Sequence, residues 1–356
     1  MTHAVDGAAL AARADVGIAP VALHASLAQD APGFIPARAV TVTRGAITAL
    51  AELDGCLLTA NYGADTVSVR AAQTLGQVTA VDDIYEPTAI VTAGRRAYVA
   101  SVEPAYDTVT VLERAAVVAR IPVRGTVRDL AVSPDARRVY ALQADDAAMS
   151  LGVIDTETHD VRTVDLTVGP HTVPTALDVA PTGNVVYVAA VDDATGVVLA
   201  VRDGRVIGAG PIPSMVRDIV VSRDGRTIFA VSDDDEFGGV VDLLDAETLQ
   251  ITGTIELGAP VGQVSVSADG ERAYIVNGSC ITVLCTATRR LIDRIETGVD
   301  PVTAVESLDG SLLFVADNEG RVASLTVNVT TNKALAQILD ADVIDLPMHE
   351  LEAAAV

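Results

Sequence analysis

A short pattern recurs along the chain every 40 to 47 residues, and this periodicity limits the possible folds more than any other feature. Each copy has an apolar segment, a polar turn that often ends in Asp-Gly, and a second apolar segment. The second segment carries an aromatic residue or leucine, and in the seven copies this residue is Leu58, Tyr98, Tyr140, Tyr187, Phe229, Tyr274 or Phe314. A period of this length holds four short β-strands, which is the content of one blade of a β-propeller.

The fifth repeat shows the four predicted strands, named a to d in chain order. They cover residues 218–221, 227–231, 239–244 and 251–257. Strands a and b are almost continuously apolar, which is typical of a sheet that is covered on both faces. Strand d alternates between apolar and polar residues, as expected for an outer, half-exposed strand. Between strands a and b, Asp224-Gly225 predicts a tight β-hairpin turn, because glycine readily adopts the positive φ that such a turn requires.

The seventh repeat is short, and a spare strand at the other end of the chain can complete it. After Phe314 the repeat supplies one strand, 321–327, and then loses the pattern. Residues 38–43 form an extra predicted strand before the first repeat, and we predict that it becomes the outer strand of the seventh blade. The sequence therefore predicts an all-β fold, a seven-bladed β-propeller of four-stranded antiparallel blades whose ring is closed by an N-terminal strand.

Three segments follow from the limits of the repeats. Residues 1–33 are an N-terminal extension, residues 34–330 are the propeller, and residues 331–356 are an acidic C-terminal tail. Within the tail, apolar residues fall on one face of a predicted helix. Two interpretations of the tail stay open, a frayed or self-packed end and a segment that docks a partner.

The net charge of −24, from 48 acidic against 24 basic residues, limits the possible partners. Such a surface repels phosphate backbones and anionic membranes, so we expect no nucleic-acid partner. No run of 18 apolar residues is present, so we expect no membrane insertion. The acidity serves either solubility or the attraction of a basic partner. Lys333 is the single lysine, and this preference for arginine is typical of high-GC genomes such as those of actinobacteria.

The three cysteines predict reduced thiols. Cys280 and Cys285 are five residues apart on one predicted strand, so they face opposite sides and cannot pair with each other. With Cys56 they form neither a disulfide pattern nor a zinc pattern, which favours a cytoplasmic protein. The first residues lack the basic and apolar regions of a secretory signal. A secreted or envelope-associated propeller is the alternative.

The second half of the repeat carries a family resemblance. The segments Val153-Ile154-Asp155-Thr156-Glu157-Thr158 and Leu243-Leu244-Asp245-Ala246-Glu247-Thr248 follow strand b in their repeats. This pattern resembles the YVTN-repeat family of β-propellers, over about residues 38–328. The resemblance implies the fold, and it leaves the activity open among surface proteins, interaction modules and lactonase-like hydrolases. The chain has no tryptophan, so propellers that use Trp motifs, such as WD40 and quinone-cofactor propellers, fit poorly.

In a propeller the b–c and d–a loops share one face around the mouth of the central channel, where ligand sites collect. The b–c loops here are acidic, at 145–146, 192–193 and 233–236. Oxygen clusters can bind Ca²⁺ or Mg²⁺, but the run with Asp233 and Asp235 lacks the spacing of known calcium loops. We therefore predict solvated turns and no metal there.

A second group of polar residues lies in the predicted d–a loops. Arg128-Asp129 and Arg217-Asp218 occupy equivalent positions, each opening strand a, and His171 lies in the loop between them. Paired arginines suit a carboxylate or phosphate, and histidine beside acids can act as a general base. The alternative is that these charges pair with each other or with neighbouring blades.

From these patterns we expect a non-catalytic scaffold without a cofactor that binds a protein or peptide partner on the b–c and d–a loops. The candidate residues for that binding are Arg128, Asp129, His171, Arg217, Asp218, Asp233 and Asp235. The alternative is a lactonase-like hydrolase with its active site at the channel mouth, because the chain offers arginine, histidine and acids there. No residue is assigned as catalytic, since no nucleophile elbow, phosphate loop or paired-cysteine metal site is present in the sequence.

Overall fold

The computed structural model describes residues 33–103, 106–145, 148–166, 172–192, 195–297 and 300–328. These residues form seven antiparallel sheets of four strands, and each sheet is one blade. Strands a to d of a blade follow one another outward from the channel. The fold is therefore the all-β, seven-bladed propeller that the repeat predicts.

The first four blades each use four consecutive strands. Blade 1 consists of β2 (Ile47–Leu53), β3 (Cys56–Asn61), β4 (Thr66–Ala71) and β5 (Gln77–Val81). Blade 2 consists of β6 (Ala89–Ala93), β7 (Arg96–Val102), β8 (Asp107–Glu113) and β9 (Ala116–Pro122). Blade 3 consists of β10 (Thr126–Val132), β11 (Arg138–Ala144), β12 (Met149–Asp155) and β13 (Val161–Leu166). Blade 4 consists of β14 (Val173–Val179), β15 (Val186–Asp192), β16 (Thr195–Arg202) and β17 (Arg205–Ile212).

Blades 5 and 6 follow the same plan, and blade 7 borrows its outer strand from the beginning of the chain. Blade 5 consists of β18 (Met215–Val221), β19 (Thr227–Asp234), β20 (Gly238–Asp245) and β21 (Ile251–Glu256). Blade 6 consists of β22 (Val261–Val266), β23 (Arg272–Asn277), β24 (Cys280–Cys285) and β25 (Arg290–Glu296). Blade 7 consists of β26 (Pro301–Glu306), β27 (Leu312–Asp317), β28 (Arg321–Val327) and β1 (Phe34–Thr41).

The ring closure is the one that the spare strand predicts, with different bounds. The strand covers Phe34–Thr41, four residues earlier than predicted at its start, and it pairs antiparallel with β28 from Phe34↔Val327 to Thr41↔Arg321. The innermost strands of blades 1 and 7 also contact each other, as all other neighbouring innermost strands do. The sheet edge that an open array would expose at β28 is therefore covered.

The core lies between the blades. Seven apolar clusters are formed by the described residues, one between each pair of neighbouring blades. The aromatic residue or leucine of each repeat lies on strand b and is at most 5% exposed. The repeat thus reflects seven similar interfaces between blades. Each interface is filled by side chains from both blades, because successive side chains of a strand point to opposite faces of the sheet.

The a–b turns show why the repeat contains Ser-x-Asp-Gly. In blade 5 the Ser222 hydroxyl donates to Asp224 Oδ1 over 2.6 Å and accepts the backbone N–H of Thr227 over 2.9 Å. Gly225 has a φ of +71°, which a residue with a Cβ adopts with strain. The same serine–aspartate pair closes the turns of blades 3, 6 and 7.

The three cysteines are free. Cys280 and Cys285 lie at the two ends of β24 and are buried, whereas Cys56 is half-buried. In the part of the chain that the structure describes, no helix is long and apolar enough to cross a membrane.

Candidate functional site

The b–c and d–a loops lie together at the end of the ring where each strand a begins, and we call this surface the loop face. Below it the seven strands a line a central channel with a volume of about 590 Å³. In six of these strands the pairing with strand b is interrupted close to the loop face by a β-bulge or a similar irregularity. The channel lining at this level consists of Thr48, Thr88, Arg128, Thr175, Arg217, Gly262 and Val302. A bulge re-aims a side chain, and six of these residues lie at the bulges, whereas Thr88 directly precedes the regular strand β6.

The structure corrects the predicted placement of the two Arg-Asp pairs. They do not open strand a, because β10 begins at Thr126 and β18 begins at Met215. The register shift in each strand lies at the arginine, so Arg128 and Arg217 are the bulge residues. A sequence alone gives no sign of a bulge here, and the extra residue explains why the strands start earlier than the apolar pattern does.

Asp129 and Asp218 join neighbouring blades through the backbone. Asp129 accepts the N–H of Leu130 in its own strand over 2.7 Å and, with its other oxygen, the N–H of Leu177 in blade 4 over 2.8 Å. Asp218 does the same with Ile219 over 2.8 Å and with Val264 of blade 6 over 2.8 Å. Both carboxylate oxygens are thus engaged by the protein itself, which is the pairing with blade neighbours that the sequence left open.

Asp178 forms a third bridge of this kind, from blade 4 to blade 5. It accepts the N–H of Val179 and that of Val221, each over 2.7 Å. Gln263 extends the series to blade 7 by accepting the N–H of Ala304 over 2.9 Å. Blades 3 to 7 are therefore joined inside the channel by side chains that each reach the next blade along the chain.

Burial in the channel wall dominates the titration of the three aspartates. It raises the pKa of Asp129 to about 7 and that of Asp178 to about 6, against the opposing effect of their backbone hydrogen bonds. Burial also raises the pKa of Asp218 well above its ordinary value, and the nearby charge of Asp129 adds to that rise. All three carboxyl groups are half-buried in the channel lining, where their partial removal from water disfavours the charged form.

The two channel-mouth arginines have different surroundings. Arg217 Nε forms an ion pair with Asp233 Oδ2 over 2.7 Å, and Asp233 Oδ1 accepts the N–H of Val261 in blade 6 over 3.0 Å. Arg128 is exposed, and among the described residues it forms no ion pair or side-chain hydrogen bond. The structure therefore separates the pair, and Arg128 is the cation that stays available at the channel mouth.

The acidic run at 233–236 forms a turn in which carboxylate oxygens accept hydrogen bonds from the protein's own backbone. Asp234 Oδ1 accepts the N–H groups of Glu236 and Phe237, over 2.9 and 3.0 Å, and Asp235 is exposed. No group of three His, Cys, Asp or Glu residues in the described part of the chain is placed to hold a metal ion. His171, the predicted base, lies outside the described residues.

The loop face carries every aromatic side chain that the core does not use. The chain has seven tyrosines, four phenylalanines and no tryptophan. Six of these lie at the repeat position on strand b and one, Phe34, lies on β1, and all seven are buried. The other four are Tyr62 at 39% exposed, Tyr85 at 37%, Tyr106 at 56% and Phe237 at 39%. All four lie in b–c or d–a loops, so exposed aromatic surface is confined to one face of the ring.

Three of these aromatics lie in adjoining loops of blades 1 and 2. The Tyr62 hydroxyl donates to Glu86 over 3.1 Å, and this hydrogen bond is the main reason why the pKa of Tyr62 is raised. The N–H of Glu86 donates to Asp65, and the N–H of Val102 donates to the Tyr85 carbonyl. These hydrogen bonds tie the loops that carry the three tyrosines to one another.

The same loops hold a strained backbone. Asp65, Asp83 and Glu86 have φ values of 53°, 61° and 38°, in the left-handed region that residues with a Cβ seldom adopt. Nine other described non-glycine residues with positive φ lie in turns on the opposite face, so this conformation is not specific to the loop face. The sequence already held one signal for these loops, because their three tyrosines lie outside the repeat position.

A closed ring of seven four-stranded blades with a lined channel and a distinct loop face defines the class, a seven-bladed β-propeller. The chain belongs to the family of the seven-bladed β-propeller protein Rv1057 of Mycobacterium tuberculosis. It is 33% identical to that protein over 349 residues, which cover 86% of this chain and 88% of the relative. No family model matches the chain, so the finer resemblance to YVTN-repeat and lactonase-like propellers stays a prediction.

Solved structures of low sequence identity share the fold. The β-propeller domain of Cps50 (Swd1) from Myceliophteria thermophila aligns with a TM-score of 0.68 at 13% identity, over 83% of this chain and 99% of that domain. A chain of the hydrazine synthase from Kuenenia stuttgartiensis aligns with a TM-score of 0.67 at 18% identity, over 81% and 97%. At such identities the likeness carries the architecture and no function.

Proposed function

We propose that the protein is a non-catalytic binding propeller that holds a protein or peptide partner on its loop face. The observation that carries this proposal is the confinement of the four exposed aromatics to that face. Tyrosine and phenylalanine supply large contact areas at low entropic cost, and aromatic residues dominate the energetics of protein interfaces. A chain with so few aromatics that leaves four of them in solvent on one face is best explained by a partner that covers them.

The charge of the loop face favours a basic partner. Its exposed carboxylates are Asp82, Asp83, Glu86, Asp145, Asp192, Asp235, Glu236, Asp300 and Glu319. Its exposed arginines are Arg44, Arg124, Arg128 and Arg217. An acidic surface steers and orients basic segments, and a guanidinium or ammonium group stacks favourably over a tyrosine ring. We therefore propose a partner segment rich in arginine or lysine.

A peptide-display selection tests this function without a known partner. Random peptides displayed on phage are selected against the full chain at low salt, and the enriched sequences are synthesised and titrated by fluorescence anisotropy. We expect enrichment in arginine and lysine, and affinities that fall as salt rises because the interaction is screened. The variant Tyr62→Ser/Tyr85→Ser/Tyr106→Ser should weaken binding at least about tenfold.

A matched control removes exposed apolar side chains elsewhere. Val118→Ser/Ile207→Ser alters residues that are 50% and 52% exposed on the outer strands β9 and β17. This variant should bind the selected peptides as the unaltered protein does. Selected peptides without basic character, or equal binding by the tyrosine variant, would count against the proposal.

The channel mouth supports a second candidate, a lactonase-like hydrolase. The observation in its favour is the exposed Arg128 close to Asp129, whose pKa of about 7 lies in the range of a general base. Against it, both oxygens of Asp129 accept backbone N–H groups. A panel of lactones assayed with Arg128→Ala and the unaltered chain decides the matter. Turnover that depends on Arg128 supports the hydrolase, and no turnover by the unaltered chain eliminates it.

We propose a cytoplasmic location, which the three free cysteines support. Thiols stay reduced in the cytoplasm, whereas oxidising compartments favour disulfides. Cell fractionation with detection of the intact chain tests the proposal, and recovery in the envelope or the medium would contradict it.

A further inference from the structure

A cleft opens between blades 3 and 4 on the side of the ring opposite the loop face, where the a–b and c–d turns lie. Its volume is about 350 Å³, within the range of small-molecule pockets. The floor consists of the aliphatic side chains Leu151, Val153, Val164, Val186 and Val201. The rim consists of Arg138, Tyr140, Arg162, Gly183, Asn184, Arg202, Asp203 and Gly204. We call this cavity the blade 3–4 cleft.

The cleft exists because one turn is short. In blades 2 and 4 the repeat tyrosine donates its hydroxyl to a carbonyl in the c–d turn of the next blade. Tyr98 donates to Thr156 over 3.5 Å and Tyr187 donates to Ala246 over 2.8 Å. The c–d turn of blade 4 contains only Asp203 and Gly204, with φ values of 51° and 75°. No hydrogen bond of this kind joins Tyr140 to blade 4 in the described structure, and the space stays open.

Blade 2 has an equally short c–d turn, at Arg114 and Ala115, and provides an internal comparison. There, Ala115 packs against the apolar cluster between blades 1 and 2, beside Cys56 and Leu53. The neighbouring blade 1 has a leucine at the repeat position and Cys56 where blade 3 has Arg138. A short turn by itself therefore leaves no polar rim, and the rim at blades 3 and 4 depends on its arginines.

Arg138 occupies a position at which the other arginines are neutralised. Arg96 and Arg272 precede their repeat tyrosines by two residues, as Arg138 does. Arg96 pairs with Glu113 over 3.1 Å and Arg272 pairs with Glu306 over 3.0 Å. Glu306 lies on strand a of blade 7, paired with the residue that precedes the repeat aromatic. In blade 4 the equivalent residue of strand a is Val179, which carries no charge. Within the described residues Arg138 forms no ion pair, and it is exposed beside the Tyr140 hydroxyl.

Arg162 supplies a second guanidinium on the same side of blade 3. It lies two residues before Val164 on β13 and therefore shares the face of Val164, which packs into the interface between blades 3 and 4. A Cβ on Gly204 would lie 3.5 Å from its Nη2, so the guanidinium reaches across the cleft to the turn of blade 4. In the described part of the chain it forms no ion pair. Arg202 alternates with Val201 and faces blade 5, so its side chain does not contribute a third charge.

The acids near these arginines leave them available. Asp155, the cross-strand partner of Arg138, and Asp135 influence Arg138 through space without forming an ion pair, and one oxygen of each accepts N–H groups of its own turn. Asp203 at the rim is also close to Arg138 without forming an ion pair. Among the charged side chains that line the cleft, Arg138 and Arg162 outnumber Asp203, whereas the chain as a whole has a net charge of −24.

From this geometry we infer that the blade 3–4 cleft binds a small carboxylic acid with an apolar chain, whose carboxylate is held by Arg138 and Arg162. Guanidinium groups bind carboxylates with paired, charge-assisted hydrogen bonds. The aliphatic floor accepts the hydrocarbon part and removes it from water. Asn184 at the rim adds an amide to the polar end. Recognition needs both halves, because an inorganic anion leaves the floor uncovered and a neutral hydrocarbon leaves the arginines unpaired.

Titration calorimetry with sodium octanoate and the full chain tests the site, with sodium acetate and inorganic phosphate as comparison ligands. We expect saturable binding of octanoate, and binding of acetate and phosphate that is weaker by at least about tenfold, because neither covers the floor. Arg162→Gln and Arg138→Gln should each weaken octanoate binding about tenfold. Arg226→Gln, an exposed arginine of the equivalent turn in blade 5, should leave binding unchanged.

A second variant keeps the test valid if an arginine variant is unstable. Replacing Asp203-Gly204 with the five residues 156–160 of blade 3 should extend the turn over Tyr140 and abolish octanoate binding. Thermal unfolding identifies variants that have lost the fold. The inference is overturned if octanoate does not bind, if acetate binds as tightly, or if folded arginine and turn variants bind octanoate as the unaltered chain does.

Discussion

At the scale of single residues, the ring contains an ion pair that solvent barely reaches. Arg272 is 2% exposed and Glu306 is 6% exposed, and they meet between blades 6 and 7. Glu306 Oε1 also accepts the Tyr274 hydroxyl over 2.7 Å, and its Oε2 accepts the N–H of Ala268 over 2.7 Å. The pair therefore joins two blades at a point where water cannot replace either partner.

Removal of one partner should be far more costly than removal of both. Glu306→Ala leaves a buried guanidinium uncompensated, and we expect a loss of about 3–5 kcal/mol in the free energy of unfolding. Arg272→Met/Glu306→Met should recover much of that loss, since no buried charge remains. Urea unfolding measures both variants. Glu319→Ala, at an exposed ion pair with Arg321, should cost less than about 1 kcal/mol. A Glu306→Ala variant as stable as this control would contradict the prediction.

The raised pKa values of the channel aspartates predict how stability changes with pH. The pKa of Asp129 is about 7 and that of Asp178 is about 6 in the folded protein, whereas an unfolded aspartate titrates at about 3.9. The folded state therefore binds these protons more tightly. Their contribution to stability grows as the pH falls through about 7 and 6, and it is lost as the pH rises through those values.

Asp129→Asn should flatten that dependence, because it removes one of the titrating groups. The measurement is the difference in the free energy of unfolding between about pH 8 and about pH 5, compared with the unaltered chain. Asp235→Asn changes an exposed aspartate of the loop face and should keep the original slope. An unchanged slope for Asp129→Asn would show that this carboxyl does not titrate in that range.

Single-residue roles were the least predictable part of the site. The spacing shows that Arg128-Asp129 and Arg217-Asp218 are equivalent, and the structure places both pairs at the channel. The spacing does not show that Asp129 accepts the N–H of Leu177, because that contact depends on how two blades meet. Asp178 has a different place in its own strand and escapes the comparison of repeats, although it forms the same kind of bridge.

At the scale of elements, the closure of the ring depends on one strand from each end of the described chain. β1 covers the edge of β28, and Phe34 packs against Tyr274 with ring centroids 5.9 Å apart. Deletion of residues 1–44 should therefore expose an edge and open an apolar interface, so that the ring loses cooperative unfolding and aggregates. Deletion of residues 1–32 leaves every described strand in place and should not do so. Urea unfolding and light scattering of both deletions measure the difference.

The elements themselves were largely predictable. Seven copies of one pattern fix seven blades, and the alternation of strand d distinguishes the outer strand from the buried ones. The strand bounds were less accurate at the ends near the loop face, where β18 starts at Met215 rather than at 218. The bulge explains this error, because it inserts a residue that breaks the alternation on which such predictions depend.

At the scale of the whole molecule, an excess of negative charge acts on a ring whose stability depends on seven interfaces. A net charge of −24 on 356 residues produces self-repulsion that favours expanded states. Raising the ionic strength from about 0.02 M to about 0.5 M shortens the Debye length and should raise the urea midpoint of unfolding. Sodium chloride at fixed pH is the appropriate salt. A midpoint that falls or stays constant would show that attractive pairs outweigh the repulsion.

The borrowed outer strand of blade 7 has a consequence for biosynthesis. Of the described strands, Phe34–Thr41 is synthesised first, and it lacks its partner until Arg321–Val327 has emerged from the ribosome. During that interval an unpaired strand is a template for wrong pairing in the crowded cell. Two features of the strand reduce wrong pairing. Pro36 lacks the N–H that a neighbouring strand would bind, and the register shifts between Pro36 and Arg38. The first of the described strands to be synthesised therefore stays unpaired until the last of them is complete, and its composition limits wrong pairing in the meantime.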